Sequence, residues 1–210
     1  MIFLGNTMLI VNDGIITSNS VTLMLFPLLE HGPMKDVSGI ILHQTSRDNV
    51  ITTMAGYRFK PSGVGAHFLI NPAGQIFQTA RITQVCYHVG RLNAYCQHVH
   101  RCTPRDEEVL NGIAKMYPND ESERWKQIDE WEQKKAAALR FPANHDSIGI
   151  EVVGAPKNRV YGSPTSSQNA SVRWLVSELL ITLKLDRKRI FPHGLIDPRK
   201  FLTEGSKIAY

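Results

Sequence analysis

Long hydrophobic runs are what this 210-residue chain lacks first. The longest, VTLMLFPLL (21–29), is interrupted by Pro27. It falls far short of the roughly 20 apolar residues that cross a bilayer, so no membrane span is expected. The opening residues, MIFLGNTMLIVNDG, carry neither a basic start nor a small-residue cleavage site, so no secretory signal is expected and the chain reads as made in the cytoplasm. Internal repeats and low-complexity tracts are absent too. Neither sign of charge dominates: the net charge is +5 and the pI about 9.2. So mild a basic excess suits an anionic polymer such as nucleic acid or cell wall, but is often only a solubility feature. No aromatic-rich basic strip accompanies it, which argues against nucleic acid as a partner.

Cysteine is scarce, and three cysteines cannot all pair within one chain. Cys86 lies in an apolar stretch and reads as a small core residue. Cys96 and Cys102 bracket YCQHVHRC. They could close a short disulfide, which needs an oxidising compartment, or join His98 and His100 around a metal. On a strand all four would crowd one face, too tightly for one tetrahedral ion. A surface loop with incidental histidines is the expectation.

What is present is ordinary globular composition, 42% hydrophobic and 20% charged, at a length that suits one domain over 1–210. MLIVNDGIIT (8–17) is two apolar runs around Asn-Asp-Gly, a hairpin signal. VSGIILHQT (37–45) reads as a buried strand ending in His43, and 47–58 as a short helix. AHFLINPAGQIFQTA (66–80) reads as a second hairpin turning on Asn-Pro-Ala-Gly. Residues 104–140 are charged and predict two solvated helices broken at Tyr117-Pro118-Asn119. DSIGIEVVG (146–154) predicts a strand with apolar residues at 148, 150 and 152 and Glu151 on its other face. SSQNASVRWLVSELLITLKL (166–185) is an amphipathic helix, and RIFPHG (189–194) a short strand delivering His193 to a loop. The fold class expected is α/β, a single mixed central sheet flanked by helices, with a helical insertion.

Three potentially reactive groups fall at strand ends or faces: His43, Glu151 and His193. A carboxylate within an apolar strand needs a partner or a task. Two neutral imidazoles can bind zinc, and a nearby carboxylate can take a proton from water that the zinc acidifies. A lysine beside such a site, here Lys200, can stabilise an oxyanion.

IILHQT, VGAHFLINPAGQIFQ, YHVGRLN, SIGIEVVG and FPHGLIDPRK, in that order, resemble the zinc-dependent N-acetylmuramoyl-L-alanine amidases, relatives of phage amidase lysozymes and peptidoglycan-recognition proteins. The resemblance runs from about 37 to 205. It leaves residues 1–36 as an N-terminal extension and 96–145 as an insertion. It implies zinc ligands at His43 and His193, a catalytic carboxylate at Glu151, a catalytic lysine at Lys200, and a place for His88 beside the substrate groove. His67 also sits in a family motif and reads as a structural hydrogen-bonding residue. The family's third ligand, an aspartate or cysteine, usually follows the lysine by two residues, where this chain has Leu202. Glu204, followed by Gly205, is the expected substitute after a slip in register, with Asp197 as rival.

The function so implied is hydrolysis of the amide between N-acetylmuramic acid and L-alanine in peptidoglycan. A binding module without a competent metal is the alternative from another class. The extension and insertion suit an effector that a contractile, type VI-like secretion carrier delivers into a rival's periplasm and a dedicated immunity protein neutralises. A phage lysis enzyme or a cytoplasmic muropeptide-recycling amidase are the other settings.

Overall fold

The computed structural model describes residues 9–210. Met8, the first residue of the expected N-terminal hairpin, lies outside them. The rest of that hairpin is formed by β1 (Ile10–Asn12) and β2 (Ile15–Thr17), paired antiparallel. Its turn residues Asp13 and Gly14 both have positive φ, 48° and 72°, the conformation an Asp-Gly hairpin turn requires.

The other strands make one six-stranded mixed sheet. In chain order they are β3 (Val21–Leu23), β4 (Gly39–Gln44), β5 (Phe68–Ile70), β6 (Ile76–Gln78), β7 (Ser147–Val152) and β8 (Ile190–Pro192). Across the sheet the order is β3-β6-β5-β7-β4-β8, with β5 and β6 antiparallel and every other pair parallel. The apolar run at 21–29 therefore supplies an edge strand of the sheet. All six residues of β4 are buried, which is why it reads as a near-continuous apolar run: parallel strands in such sheets are covered on both faces.

The two-residue period of the strands decides which side chains meet. Ile40 and Leu42, Phe68 and Ile70, and Ile148, Ile150 and Val152 form one core with Val172, Leu175, Val176 and Leu179 of helix α5 (Ser166–Thr182). Those four recur at i, i+3, i+4 and i+7 along the helix. Burying each contributes roughly 1.5–3 kcal/mol relative to exposure. Thr165 and Gln168 cap the start of α5 reciprocally. The alternate residues, including Ile41, Leu69 and Phe191, pack in separate clusters on the other side. There Tyr57 of α1 (Val50–Phe59) and Ile196 of α6 (His193–Ile196) join them. His43 and Glu151, in alternate register with the α5-facing residues, belong to this second side.

Between β6 and β7 the chain forms α2 (Tyr95–His98), α3 (Pro104–Met116) and α4 (Glu121–Glu132). Thr103 and Asp120 cap the two longer helices, and the break falls at Tyr117-Pro118-Asn119 as the sequence predicts. The Lys135 ammonium joins them, 2.6 Å from both Asp106 Oδ1 and Glu132 Oε1.

The segment 95–102 departs from expectation. It is one helical turn and not an open loop; a reversal at His100 (φ 53°) then brings Cys96 and Cys102 into the short disulfide their spacing allows. Their sulfurs are thus committed to each other, and His98 lies against Phe141 instead of facing a metal. Cys96 packs with Ala94, Leu110, Cys102 and Ile128 in a small core. Cys86 is free and buried. Among the described residues no helix is long and apolar enough to cross a membrane.

Candidate active site and metal centre

Sheet register puts the first two groups side by side. His43 of β4 is the cross-strand partner of Glu151 of β7. On the other flank of β4, β8 runs parallel and leads directly into His193, the first residue of α6. The His43 and His193 ring centroids are 4.2 Å apart.

The third member comes from an irregular turn. The Glu204 N–H donates to the Phe201 carbonyl at 2.8 Å, and its own carbonyl accepts from Gly194 N–H at 3.0 Å. Gly205 follows with φ +77°, and a Cβ there would collide with the Leu42 carbonyl. Only glycine lets the turn press this closely on β4, and the pressure seats the Glu204 carboxylate between the histidines. Its Oε1 lies 2.6 Å from His193 Nδ1 and 3.7 Å from His43 Nδ1. One ligand atom each from His43, His193 and Glu204 lie within 4.8 Å of one another, and all three residues are buried.

The partners of these rings fix their tautomers. His193 Nε2 lies 2.7 Å from the Val89 carbonyl. A carbonyl only accepts, so Nε2 donates there and Nδ1 is turned toward Glu204 Oε1, 2.6 Å away. His88 Nε2 faces the Ser147 carbonyl at 3.4 Å. Its other neighbour, Ser147 Oγ at 3.3 Å, already donates to the Ala143 carbonyl. His88 Nε2 is therefore a donor and His88 Nδ1 an acceptor. Nδ1 accepts from His43 Nε2–H at 3.0 Å, leaving His43 Nδ1 bare. Two imidazole Nδ1 atoms and a carboxylate oxygen thus converge in a buried space, where either a proton shared by His193 and Glu204 or a cation offsets the carboxylate charge. Two imidazole nitrogens and one carboxylate oxygen fit zinc, whose catalytic sites take three protein ligands and keep an open position.

The electrostatics agree. Burial first, then the neighbouring His193, pushes the His43 imidazole down to about 3, so it is neutral at pH 7. Burial and the surrounding imidazoles push His88 well below its ordinary value. Burial alone would raise Glu204, but the close approach of His193 and His43 outweighs it and holds this carboxyl well below the usual range.

Glu151 lies partly exposed in a cleft of about 520 Å³ over the cluster. Burial raises its carboxyl, opposed by the Tyr57 hydroxyl, which donates to Oε2 at 2.8 Å. Lys200 is 41% exposed, with Nζ 3.8 Å from Glu204 Oε2. His88 lines the cleft floor but is itself buried, behind His43. Gly149 makes room for it: a Cβ there would come within 2.8 Å of His88 Nδ1. Leu202 is 77% exposed. Asp197 is fully buried, its two oxygens bound to Arg199 at 2.9 and 2.7 Å, and it is not part of the cluster. His67 makes hydrogen bonds only, donating from Nε2 to the Gln84 carbonyl and accepting at Nδ1 from Gly149 N–H.

Several groups here escape a reading of the sequence. The Val89 carbonyl and Ser147 act through backbone geometry, which residue type does not announce. Tyr57 reads only as part of a helix, although a buried tyrosine hydroxyl generally has a partner. Tyr161, on the cleft wall, has its phenol pushed up by burial and by the charges of Glu204 and Glu151.

The family model described as N-acetylmuramoyl-L-alanine amidase matches residues 33–200. The chain belongs to this family, whose class is that of amidases acting on peptidoglycan. A search of curated proteins finds no match. Among solved structures, the fold is similar to a selenomethionine derivative of AmpD. The TM-score is 0.52 at 15% identity, over 90% of this chain and 89% of that one. It is also similar to the catalytic domain of XlyA, with a TM-score of 0.50 at 15% identity, over 85% and 87% of the two chains. At such identities the likeness is one of fold.

Proposed function

We propose that the protein is a zinc-dependent hydrolase of the amide between N-acetylmuramic acid and L-alanine. The observation that carries this reading is the convergence of His43 Nδ1, His193 Nδ1 and Glu204 Oε1 beside Glu151. His43, His193 and Glu204 would hold the ion. When bound, zinc supplies Lewis acidity toward the scissile carbonyl and toward water. Glu151, raised by its burial, takes the proton of the attacking water and passes it to the leaving amine of L-alanine. The Lys200 ammonium faces the developing oxyanion from the cleft rim. His88 is kept as a substrate-groove residue through its place in the cleft floor.

The single-domain reading, with 1–36 as extension and 96–145 as insertion, belongs to the same proposal. So does the setting. A disulfide persists in oxidising compartments, so Cys96–Cys102 favours action in a periplasm over muropeptide recycling in the cytoplasm. A delivered antibacterial effector with a secretion carrier and an immunity partner fits that compartment.

The test is zinc content and release of new L-alanine amino termini from purified sacculi. We expect about one zinc per chain, loss of activity with EDTA, and loss of both zinc and activity in His43→Ala and His193→Ala. Glu151→Gln should keep zinc while turnover falls by about 10²–10⁴. A zinc-free protein that still sediments with sacculi would replace this reading with that of a binding module.

A further inference from the structure

Tyr161 belongs to no strand or helix, yet it is buried, 4% exposed, in the wall of the cleft that holds Glu151, Lys200 and Glu204. Its ring packs beside Phe201, with centroids 6.4 Å apart. Its hydroxyl makes no hydrogen bond with any described residue, and it is not among the polar atoms sealed away from solvent. A buried tyrosine generally gives its hydroxyl a partner. Here the space left to that hydroxyl is the cleft.

The backbone around Tyr161 is fixed from three directions. Just before it, Lys157 and Val160 close a tight reversal by exchanging backbone hydrogen bonds of 2.9 and 3.0 Å. Asn158 and Arg159 inside it both have positive φ, 49° and 66°, as a turn with two left-handed central residues requires. On one side the Tyr161 N–H donates to Thr203 Oγ1 at 3.0 Å, next to Glu204 in the chain. On the other, the Gly162 carbonyl accepts at 3.0 Å from Nε2 of Gln44, which follows His43 on β4. Arg159 lies over the Phe201 ring, 5.1 Å from its centroid. Tyr161 is therefore strapped both to the strand that supplies His43 and to the turn that supplies Lys200 and Glu204.

We propose that Tyr161 is a further catalytic residue, its hydroxyl donating a hydrogen bond to the scissile carbonyl oxygen as that oxygen becomes an oxyanion. The inference rests on the amidase reading above. As the water oxygen bonds to the carbonyl carbon, the π electron pair moves onto the carbonyl oxygen. Tyr161 and Lys200 meet that charge, and both keep their protons. When the pair returns, the C–N bond breaks and the leaving amine takes the proton that Glu151 holds. A phenol suits the task because its ordinary pKa is about 10, so at neutral pH it donates. The two donors differ in kind. Lys200 is 41% exposed and brings its charge on a flexible stem. Tyr161 has its place set before substrate arrives, and a donor so preorganised needs no reorientation at the moment of reaction.

The experiment compares the full chain with Tyr161→Phe, which removes the hydroxyl alone and keeps a ring beside Phe201. Three quantities are read: zinc content, steady-state kinetics on a soluble muramoyl peptide, and affinity for a phosphinate analogue. In that analogue a tetrahedral phosphorus stands in place of the scissile carbonyl carbon. We expect unchanged zinc content and KM, with kcat and kcat/KM both lower by about 10²–10³, the loss of one oxyanion donor. The analogue should bind more weakly by a similar factor. Unchanged kcat and analogue affinity in Tyr161→Phe would overturn the proposal. So would a raised KM with kcat unaltered, which marks a contact made equally before and during reaction. Zinc lost in step with activity would also overturn it and make Tyr161 a support of the metal turn. If Tyr161→Phe does not fold, Tyr161→Gln and Tyr161→Leu take its place: glutamine can donate and leucine cannot, so equal turnover in the two would overturn it. An unsubstituted protein that neither binds zinc nor cleaves the peptide would sink the amidase reading and this inference with it. An active unsubstituted protein matched by Tyr161→Phe would sink this inference alone.

Discussion

Replacing both Cys96 and Cys102 with alanine tests how firmly the insertion is fastened. The bridge closes a short loop, with a sequence separation of 6. In the chain-entropy treatment a loop of about seven residues confines the unfolded state by about 2 kcal/mol at 25 °C. For a chain of this length each kcal/mol moves the melting temperature by roughly 2–4 °C, so the variant should melt about 5–10 °C lower. Adding reductant to the unsubstituted protein should give a similar shift, because both perturbations open the same loop and only one alters the small core around Cys96 and Leu110. Differential scanning fluorimetry reads the melts, and thiol titration in denaturant checks the premise: one thiol, Cys86, before reduction and three after. Three thiols before reduction, or coincident melts for all samples, would refute the reasoning. A drop confined to reductant would place the effect on the solvent condition.

Further outcomes follow from individual side chains. Burial pushes the His67 imidazole from 6.5 down to about 4. The unfolded chain therefore binds a proton the folded one refuses, and stability falls as pH drops through that window, by about 3 kcal/mol at pH 4 at roughly 1.4 kcal/mol per pH unit. Urea midpoints at pH 7 and pH 4 check this, and His67→Gln should shrink the difference by about that amount, leaving the shares of His43 and His88. Glu204→Gln should weaken zinc binding about a hundredfold, since roughly 10–16 kcal/mol over four ligands is about 3 kcal/mol each; Asp197→Asn should leave it unchanged. Tyr57→Phe removes the hydrogen bond that lowers Glu151, so the acid limb of the kcat/KM profile should move to higher pH. Gly205→Ala should disorder the turn and lower zinc content, because its Cβ meets the Leu42 carbonyl; a folded variant with full zinc content would refute this steric reading.

Where the sequence carried a period, it was legible. β4, β7, the hairpin of β5 and β6, and α5 declare themselves through alternation or three-four spacing, and the register they set brings His43 beside Glu151. The break at Tyr117-Pro118-Asn119 is legible because proline and the cap at Asp120 act locally. Val21–Leu23 is not legible as an edge strand, because three residues carry no period and the partner lies 55 positions on in the register Val21↔Ile76. The Cys96–Cys102 bridge could be posed from spacing alone, while the helical turn and reversal that close it carry no period of their own. The choice between Glu204 and Asp197 could be posed from the sequence, but the two differ by long-range contacts, Arg199 on one and the β4 carbonyl behind Gly205 on the other.

The contrast between the origins of the cluster's members has an evolutionary consequence. His43 and Glu151 are locked by a ladder in which a shift of one residue would turn both to the opposite face of the sheet. The Glu204 carboxylate hangs from a turn that no ladder constrains. A residue gained or lost between Lys200 and Gly205 alters the length of this tether and nothing in the sheet, and a glutamate reaches one methylene further than an aspartate. The site thus joins an immovable half to a half that can be re-sited by small steps. Leu202 stands exposed at the position where the sequence resemblance implied a third ligand, and such a chain can keep three donor atoms together while its motif no longer reads as intact.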